Sequence, residues 1–353
     1  MHTTSPSPLV AIHLIPSDVI GGVEIAARSL SSGPYPFFLL KKYFLSSQSH
    51  AQSFGPNDCA GTYQSVNDPR NFFKALLWLH FQRPDLLVAS LWRCYLLMIV
   101  HKLTHPRCKI VCFIHSAAIF NFLDGLISFV SIAFATQVWA DCHTTILQRI
   151  PRFLRRKSFI VSFVLQRQNS VTQVIPKPAF IFWGRLSKVK GLERGLQLFC
   201  SLLRIYPDAS FYIVGPDGGE FDHLIRLCHS YNIIESVHFL GPRSKSEIVF
   251  LASKTSFYLQ TSYNEGFAMS VVEAMQLGLV PVVTPVGEIA RYCHDGHNSL
   301  LVTDPESTTR RIVHVISTPG LYTSLRDKAI ETWVDAPLYR DDFLARCSDL
   351  LKA

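Results

Sequence analysis

Residues 261–278 read TSYNEGFAMSVVEAMQLG. One acid, Glu265, falls in a segment marked as loop by Ser262, Tyr263, Asn264 and Gly266. A second, Glu273, follows after seven intervening residues, inside an apolar run. Met269, Val272 and Met275 recur at helical spacing, which predicts a helix over 269–275. A loop acid and a helical acid therefore bracket a helix start. The first N–H groups of a helix lack intrahelical partners and its dipole is positive there, so the start suits a phosphate. Gly266 lets the backbone approach a ligand closely. A nucleotide-sugar, a diphosphate with hydroxyls on both sides, matches this chemistry: one acid for sugar hydroxyls, the other for ribose hydroxyls.

Working outward, 180–191 read FIFWGRLSKVKG, 211–219 FYIVGPDGG and 237–248 VHFLGPRSKSEI. Beyond the two acids come VVTPVGEIARY over 282–292 and DGHNSLLV over 295–302. In this order and spacing the segments resemble the C-terminal domain of the family-4 (group 1) glycosyltransferases, whose signature is a pair of glutamates with seven residues between them. The resemblance implies the GT-B fold: two Rossmann-like domains of parallel α/β sheet facing across a cleft. It also implies a retaining transfer of sugar from a nucleotide-sugar to a glycan or glycolipid, EC 2.4 chemistry.

Residue by residue, the resemblance assigns Arg185 and Lys190 to the donor diphosphate, which they stabilise as it leaves. Two fixed cations flanking a loop at a strand end suit that work, Arg by its fork and Lys as a point charge. Glu265 is assigned to the donor sugar and Glu273 to the ribose. The N–H groups of Phe267, Ala268 and Met269 beside Gly266 face the donor, and Arg243 stands in the loop beside base and ribose. The family commonly reads Glu-Gly-Phe-Gly here; Ala268 replaces the second glycine. There is no DxD acid pair to hold a catalytic metal, so no metal and no cofactor are expected; the nucleotide-sugar is a substrate. Residues 215–219, Gly-Pro-Asp-Gly-Gly, read as a structural turn, and Ser246-Glu247 suits a helix start.

The first half alternates strands and helices, as a parallel α/β sheet does. Strands are expected over 9–15, 86–90, 109–114 and 137–140, and helices over 23–30 and 72–80. Residues 16–22 and 46–69 read as loops. Gly21-Gly22 sits between a strand and a helix, where backbone N–H groups can meet a phosphate, and the resemblance places a Gly-Gly loop beside the donor phosphates here. His115 ends the 109–114 strand, at the edge where open α/β sheets bind ligands; the resemblance sets it near sugar and acceptor. Residues 117–140 are strongly apolar, but the uncharged core is shorter than the roughly 20 residues of a membrane span. The reading is a buried helix ending in the 137–140 strand, with a membrane-facing patch as the alternative. Arg149, Arg152, Arg155, Arg156 and Lys157 then form a basic cluster. Residues 163–166 read Phe-Val-Leu-Gln where the family has an Asn-Gly turn, which leaves a donor contact from that loop unsupported.

The chain has 353 residues, enough for two domains, with 48% hydrophobic and 17% charged residues, which excludes disorder. Boundaries are expected as 1–170 for an acceptor-binding domain, 171–335 for a nucleotide-sugar domain, and 336–353 for a helix returning to the first. Nine cysteines without a CxxC pair read as reduced buried thiols rather than disulfides or zinc ligands. Residues 1–165 hold 15 Lys and Arg against 7 Asp and Glu, while 166–353 hold 19 of each, so the whole net charge of +8 lies in the first half. No nucleic-acid motif accompanies it, so the charge favours an anionic membrane surface or acidic glycolipid. The start of the chain lacks a basic region and its apolar run is short for a secretion signal. The expected location is cytoplasmic, peripheral at the inner face of the cell membrane, in bacterial cell-surface polysaccharide or lipopolysaccharide synthesis. A nucleotide-sugar hydrolase or epimerase, or a non-catalytic sugar- or lipid-binding relative, are the competing classes.

Overall fold

Runs of β-branched and aromatic residues bounded by polar turns become strands, and the amphipathic segments between them become helices that cover the sheets. The computed structural model describes residues 8–18, 21–47, 55–116, 119 and 121–353. They fall into two units, one built from the chain up to Leu165 plus Pro337–Ala353, the other from Gln166–Ala336.

In chain order the first unit contains β1 (Leu9–Ser17), α1 (Gly22–Ser29), β2 (Gly33–Pro34), β3 (Phe38–Ser46), β4 (Asp58–Ala60) and α2 (Pro69–Gln82). Next come β5 (Leu86–Ser90), α3 (Trp92–Thr104), β6 (Lys109–Ile114), α4 (Phe122–Phe134), β7 (Gln137–Ala140) and α5 (His143–Arg149). A 3-10 turn, Arg152–Lys157, leads into β8 (Ser158–Ile160). The strands order as β2-β3-β1-β5-β6-β7-β8, with β4 beside β3. Every pairing is parallel except β2 with β3. Parallel strands covered on both faces read as continuous apolar runs, and β5 and β6 do: Leu86, Leu87, Val88, Ala89, Ile110, Val111, Cys112 and Phe113 are buried.

The second unit contains β9 (Ala179–Trp183), α6 (Leu192–Leu203), β10 (Ser210–Val214), α7 (Phe221–Ser230), β11 (Val237–Gly241), α8 (Lys245–Ala252) and β12 (Phe257–Gln260). It continues with α9 (Met269–Gln276), β13 (Val280–Val283), α10 (Ile289–Tyr292), β14 (Leu300–Leu301), α11 (Pro305–Ser317) and α12 (Pro319–Val334). Its sheet is parallel throughout, in the order β11-β10-β9-β12-β13-β14. The order reverses between β9 and β12. At such a switch point the loops leaving two neighbouring strand ends diverge, and ligands bind beyond those ends. The last helix, α13 (Tyr339–Lys352), belongs to the first unit. The Tyr339 N–H donates to the Val164 carbonyl at 2.8 Å, and Asp342 accepts from the Ser162 N–H at 2.8 Å. Phe343 and Cys347 are buried.

Several expectations are corrected. The unit boundary lies at Leu165/Gln166 and the return at Ala336/Pro337, rather than at 170/171 and 335/336. Strand β1 runs two residues beyond 15, because Ser17 still pairs with Ser46 of β3. Helix α2 starts at Pro69 because Asp68 caps it, accepting from the Arg70 N–H at 2.9 Å, and Pro suits the first helical position. The expected loop over 46–69 contains β4; residues 48–54 lie outside those described, as do 1–7, 19–20, 117–118 and 120. The helix read as buried is α4, and it is not buried: Phe122, Leu123, Leu126, Phe129 and Phe134 are exposed. Helix α8 is capped by Ser244 rather than Ser246, in a capping box with Glu247. Among the described residues no helix is long and apolar enough to cross a membrane.

Candidate donor site at the β9–β12 switch point

Two loops leave the switch point, 184–191 after β9 and 261–268 after β12, and the backbone stitches them together. Tyr263 N–H donates to the Val189 carbonyl at 2.8 Å, and Thr261 Oγ1 donates to the Gly191 carbonyl at 2.6 Å. Gly191, at φ +57°, begins α6, and a Cβ there would collide with the Thr261 carbonyl. Arg194 holds the same carbonyl and lies 3.8 Å over the Tyr263 ring. From the other side Thr284 Oγ1 donates to the Ser262 carbonyl at 2.6 Å and Glu288 N–H to the Gly266 carbonyl at 3.1 Å. Gly287, at φ +58°, passes so close to the Glu265 carbonyl that no side chain fits.

This scaffold presents Glu265. Its Oε1 accepts three donors: Lys190 Nζ at 2.7 Å, Ser262 Oγ at 2.6 Å and Gln260 Nε2 at 2.9 Å. No described residue donates to Oε2. Gln260 is itself fixed, because its Oε1 accepts from Tyr258 OH at 2.6 Å and from Ser270 Oγ at 3.1 Å. Burial pushes the Tyr258 phenol well above its usual range, and the charges of Glu265 and Glu273 add to it, so Tyr258 stays a donor. Glu273, one turn into α9, meets Trp183 Nε1 at 3.2 Å and Lys245 Nζ at 3.3 Å.

Helix α9 begins without a side-chain cap. Its preceding residue, Ala268, is left-handed at φ +58° and ψ +61°, a conformation that costs a non-glycine residue about 1–2 kcal/mol. That is the physical reason a glycine suits this position, and Ala268 carries the strain. Tyr292 OH donates to the Phe267 carbonyl at 3.0 Å, which steadies the turn.

Arg185 is exposed and makes no hydrogen bond or ion pair with the described residues. Its loop is braced by the 215–219 turn: Leu186 N–H donates to the Pro216 carbonyl at 2.9 Å, and Gly218 N–H to the Leu186 carbonyl at 2.8 Å. A Cβ at Gly218 would come within 2.9 Å of Arg185 Cγ. Asp217 accepts from the N–H groups of Gly219, Glu220 and Phe221 at 2.8–3.1 Å, so this turn caps α7 and supports Arg185. Arg243 is exposed and paired with Glu247 at 3.3 Å. The cation that reaches an acid from this stretch is Lys245, the first residue of α8, which meets Glu273. Trp183, Lys245, Gln260 and Ser262 were missed in the sequence. Only the adjacency of Trp183 to Gly184-Arg185 and of Gln260 to the acid loop signalled them.

The first unit holds the remaining candidates. Gly21 is extended at φ −150°, and its nearest neighbour is the end of the Glu24 side chain. Gly22 opens α1. His115 Nε2 lies 2.9 Å from Ser90 Oγ, which lies 2.9 Å from His13 Nε2. Burial pushes His115 down to about 3 and holds His13 well below the usual histidine range, so both are neutral. A cavity of about 70 Å³ opens beside His115, lined also by Leu91, Tyr95, Ser116, Asp124 and Arg149. It is far below the roughly 300–1,000 Å³ of small-molecule pockets.

Residues 167–332 match the family model of the glycosyl transferases group 1. The D-inositol 3-phosphate glycosyltransferase of Corynebacterium urealyticum is 29% identical over 144 residues, 38% of this chain and 34% of that protein. The chain spans about a third of the length of the curated relatives it first matches. Among solved structures, Anabaena Alr3699/HepE in complex with UDP-glucose superposes with a TM-score of 0.76 at 17% identity, covering 98% of this chain and 100% of that one. The lipopolysaccharide outer core galactosyltransferase WaaB superposes with a TM-score of 0.67 at 18% identity, covering 97% and 99%. The fold is that of the GT-B glycosyltransferases. Residues 167–332, which carry Arg185, Lys190, Glu265 and Glu273, are a group 1 glycosyl transferase domain.

Proposed function

We propose that the protein is a retaining glycosyltransferase of the family-4 type, moving a sugar from a nucleotide-sugar to a glycan or glycolipid acceptor. One observation carries this reading. At the switch point of a parallel sheet, two acids have separate cation partners around an uncapped helix start, and the loop after β9 offers a further cation, Arg185, with no partner among the described residues. Glu265 is assigned to the donor sugar, whose hydroxyls meet Oε2, the oxygen left over by Lys190, Ser262 and Gln260. Glu273 is assigned to the ribose, with Trp183 and Lys245 fixing its carboxylate. The backbone of Gly266, Phe267, Ala268 and Met269 is assigned to the diphosphate. Arg243, in the loop just before α8, is assigned to the base side.

The bond from the anomeric carbon to the diphosphate oxygen breaks as the acceptor oxygen attacks from the same face, and the leaving phosphate oxygen takes the acceptor proton. The rate then rests on stabilising charge that develops on the diphosphate. Arg185 supplies a forked guanidinium, Lys190 a point charge, and the start of α9 its N–H groups. Two cations and a helix start do here what a metal does elsewhere, so we propose a metal-independent reaction with no cofactor. Gly21 and Gly22 are assigned to the donor phosphates. His115 is assigned to the sugar and acceptor through Nδ1, the ring nitrogen not held by Ser90. Bacterial cell-surface polysaccharide or lipopolysaccharide synthesis, at an anionic membrane on its cytoplasmic side, is the setting we propose.

The test is donor turnover with and without a glycan acceptor. Arg185→Ala and Lys190→Ala are each expected to lower turnover about a hundredfold, the usual loss for one charge-stabilising donor. Unchanged turnover in both removes the leaving-group assignment. Donor loss that no acceptor accelerates makes the protein a hydrolase.

A further inference from the structure

Helix α4 is built inside out. Its buried face carries Asp124, Ser128 and Ser131 together with Ile132. Asp124 and Arg149 form a two-pronged pair at 2.9 and 3.2 Å, with Ser128 Oγ 3.0 Å from each partner. The outward residues Phe122, Leu123, Leu126, Phe129 and Phe134 fall within one arc of about 140° at 3.6 residues per turn. Phe122 is 80% exposed and Phe134 69%. A soluble surface helix shows the opposite distribution, and contiguous apolar patches of this kind mark interaction sites.

Charge identifies the occupant. The only acids between 121 and 160 are Asp124 and Asp141, and both are buried. The 3-10 turn 152–157 abuts the end of α4, because Lys157 Nζ donates to the carbonyls of Ala133 and Ala135 at 2.9 and 2.8 Å. The basic cluster expected there shrinks accordingly: Arg149 is buried against Asp124, Arg155 is spent on the Ile150 and Leu147 carbonyls, and Lys157 caps α4. Arg152 and Arg156 remain exposed without partners among the described residues, flanking Phe153, which is 70% exposed. Over 121–160 the exposed surface is therefore apolar and aromatic, with cations as its charged groups. Such a face suits the headgroup–acyl boundary of an anionic bilayer, where side chains insert and Arg meets phosphate.

We propose that the outer face of α4, with Phe153, Arg152 and Arg156, docks this protein onto an anionic phospholipid bilayer. The inference rests on the membrane setting proposed above and names the surface that serves it. Its test needs neither donor nor acceptor, so it stands or falls apart from the transfer chemistry.

The experiment is sedimentation with vesicles of phosphatidylcholine alone or mixed with phosphatidylglycerol. Wild type is expected to bind the mixed vesicles and to prefer them over the neutral ones. Phe122→Gln/Leu126→Gln/Phe129→Gln is expected to weaken binding about a hundredfold, since burying each such side chain is worth roughly tenfold or less when insertion is partial. Arg152→Gln/Arg156→Gln is expected to weaken it about 25-fold, roughly fivefold per charge, and to abolish the preference. Phe129→Trp, which keeps the apolar face, is expected to be quenched by brominated lipid, a readout that needs no loss of binding. No binding by wild type, equal binding to both vesicles, or no quenching overturns the proposal. A dimer that the triple substitution dissolves, with vesicles ignored, gives the face to a second copy and overturns it too.

Discussion

Replacing Lys190 by methionine keeps the stem and removes the ammonium. Glu265 then retains only Ser262 and Gln260 as donors. Exposed ion pairs contribute about 0–1 kcal/mol, and breaking a fully buried pair costs about 3–5 kcal/mol. The Lys190 and Glu265 side chains are 21% and 9% exposed, and their contact is a charge-assisted hydrogen bond of 2.7 Å. The cost of Lys190→Met therefore falls between those limits, at about 2 kcal/mol. Glu265→Gln, which strands Lys190, costs a similar amount. The two losses overlap, so the double variant is expected to cost about 1.5 kcal/mol less than their sum. Urea titration reads this as midpoint shifts of roughly 1 M for each single variant, with little further shift for the double. Additivity within about 0.5 kcal/mol would refute the reasoning and leave Ser262 and Gln260 as the groups that position Glu265.

Ser90→Ala strips both His13 and His115 of their Nε2 partner and is expected to cost about 1–3 kcal/mol, read by thermal melting. His115 is held at about 3 in the folded protein against 6.5 unfolded. The unfolded chain thus binds more protons between those values, and stability is full above pH 6.5 and falls as pH drops towards 3. The slope is at most about 1.4 kcal/mol per pH unit for this group. His115→Leu is expected to flatten it, and an unchanged slope in an acid titration contradicts the assignment. Gly287→Ala forces a side chain against the Glu265 carbonyl at positive φ. At least about 2 kcal/mol of stability is expected to be lost; a variant as stable as wild type would contradict the close approach.

The second unit was legible because its signals are local. The strands over 179–183, 257–260 and 280–283 are short apolar runs, and glycine turns such as Gly184 and Gly191 bound the strand over 179–183 and the helix over 192–203. Lys190 and Glu265 meet because the loops carrying them follow the two strands at the switch point, while Glu273, on α9, is held by Trp183 and Lys245. What escaped were side chains whose role depends on a partner far along the chain. Gln260 is a buried amide in an apolar strand, and nothing in its neighbours shows that it spans Tyr258 and Glu265. Lys245 carried no signal of its own, while Arg243, two residues earlier, drew the assignment by resemblance. Helix α4 misled for a different reason. Hydrophobicity alone predicts burial, but only packing shows which face turns inward, and here Arg149 draws the polar face in. The basic cluster shrank likewise, since adjacency in sequence did not reveal that Arg149 is spent on Asp124 and Arg155 and Lys157 on backbone carbonyls.

The most direct test of the donor site is calorimetric titration of UDP-, GDP-, ADP- and dTDP-linked sugars, without metal, into wild type and into Glu273→Ala. The account predicts that one nucleotide-sugar binds wild type and loses at least tenfold in affinity on Glu273→Ala, as expected when a charged hydrogen-bonding partner of about 1.5–3 kcal/mol is removed. Binding that is indifferent to Glu273→Ala, or no binding of any donor by the folded protein, would contradict it.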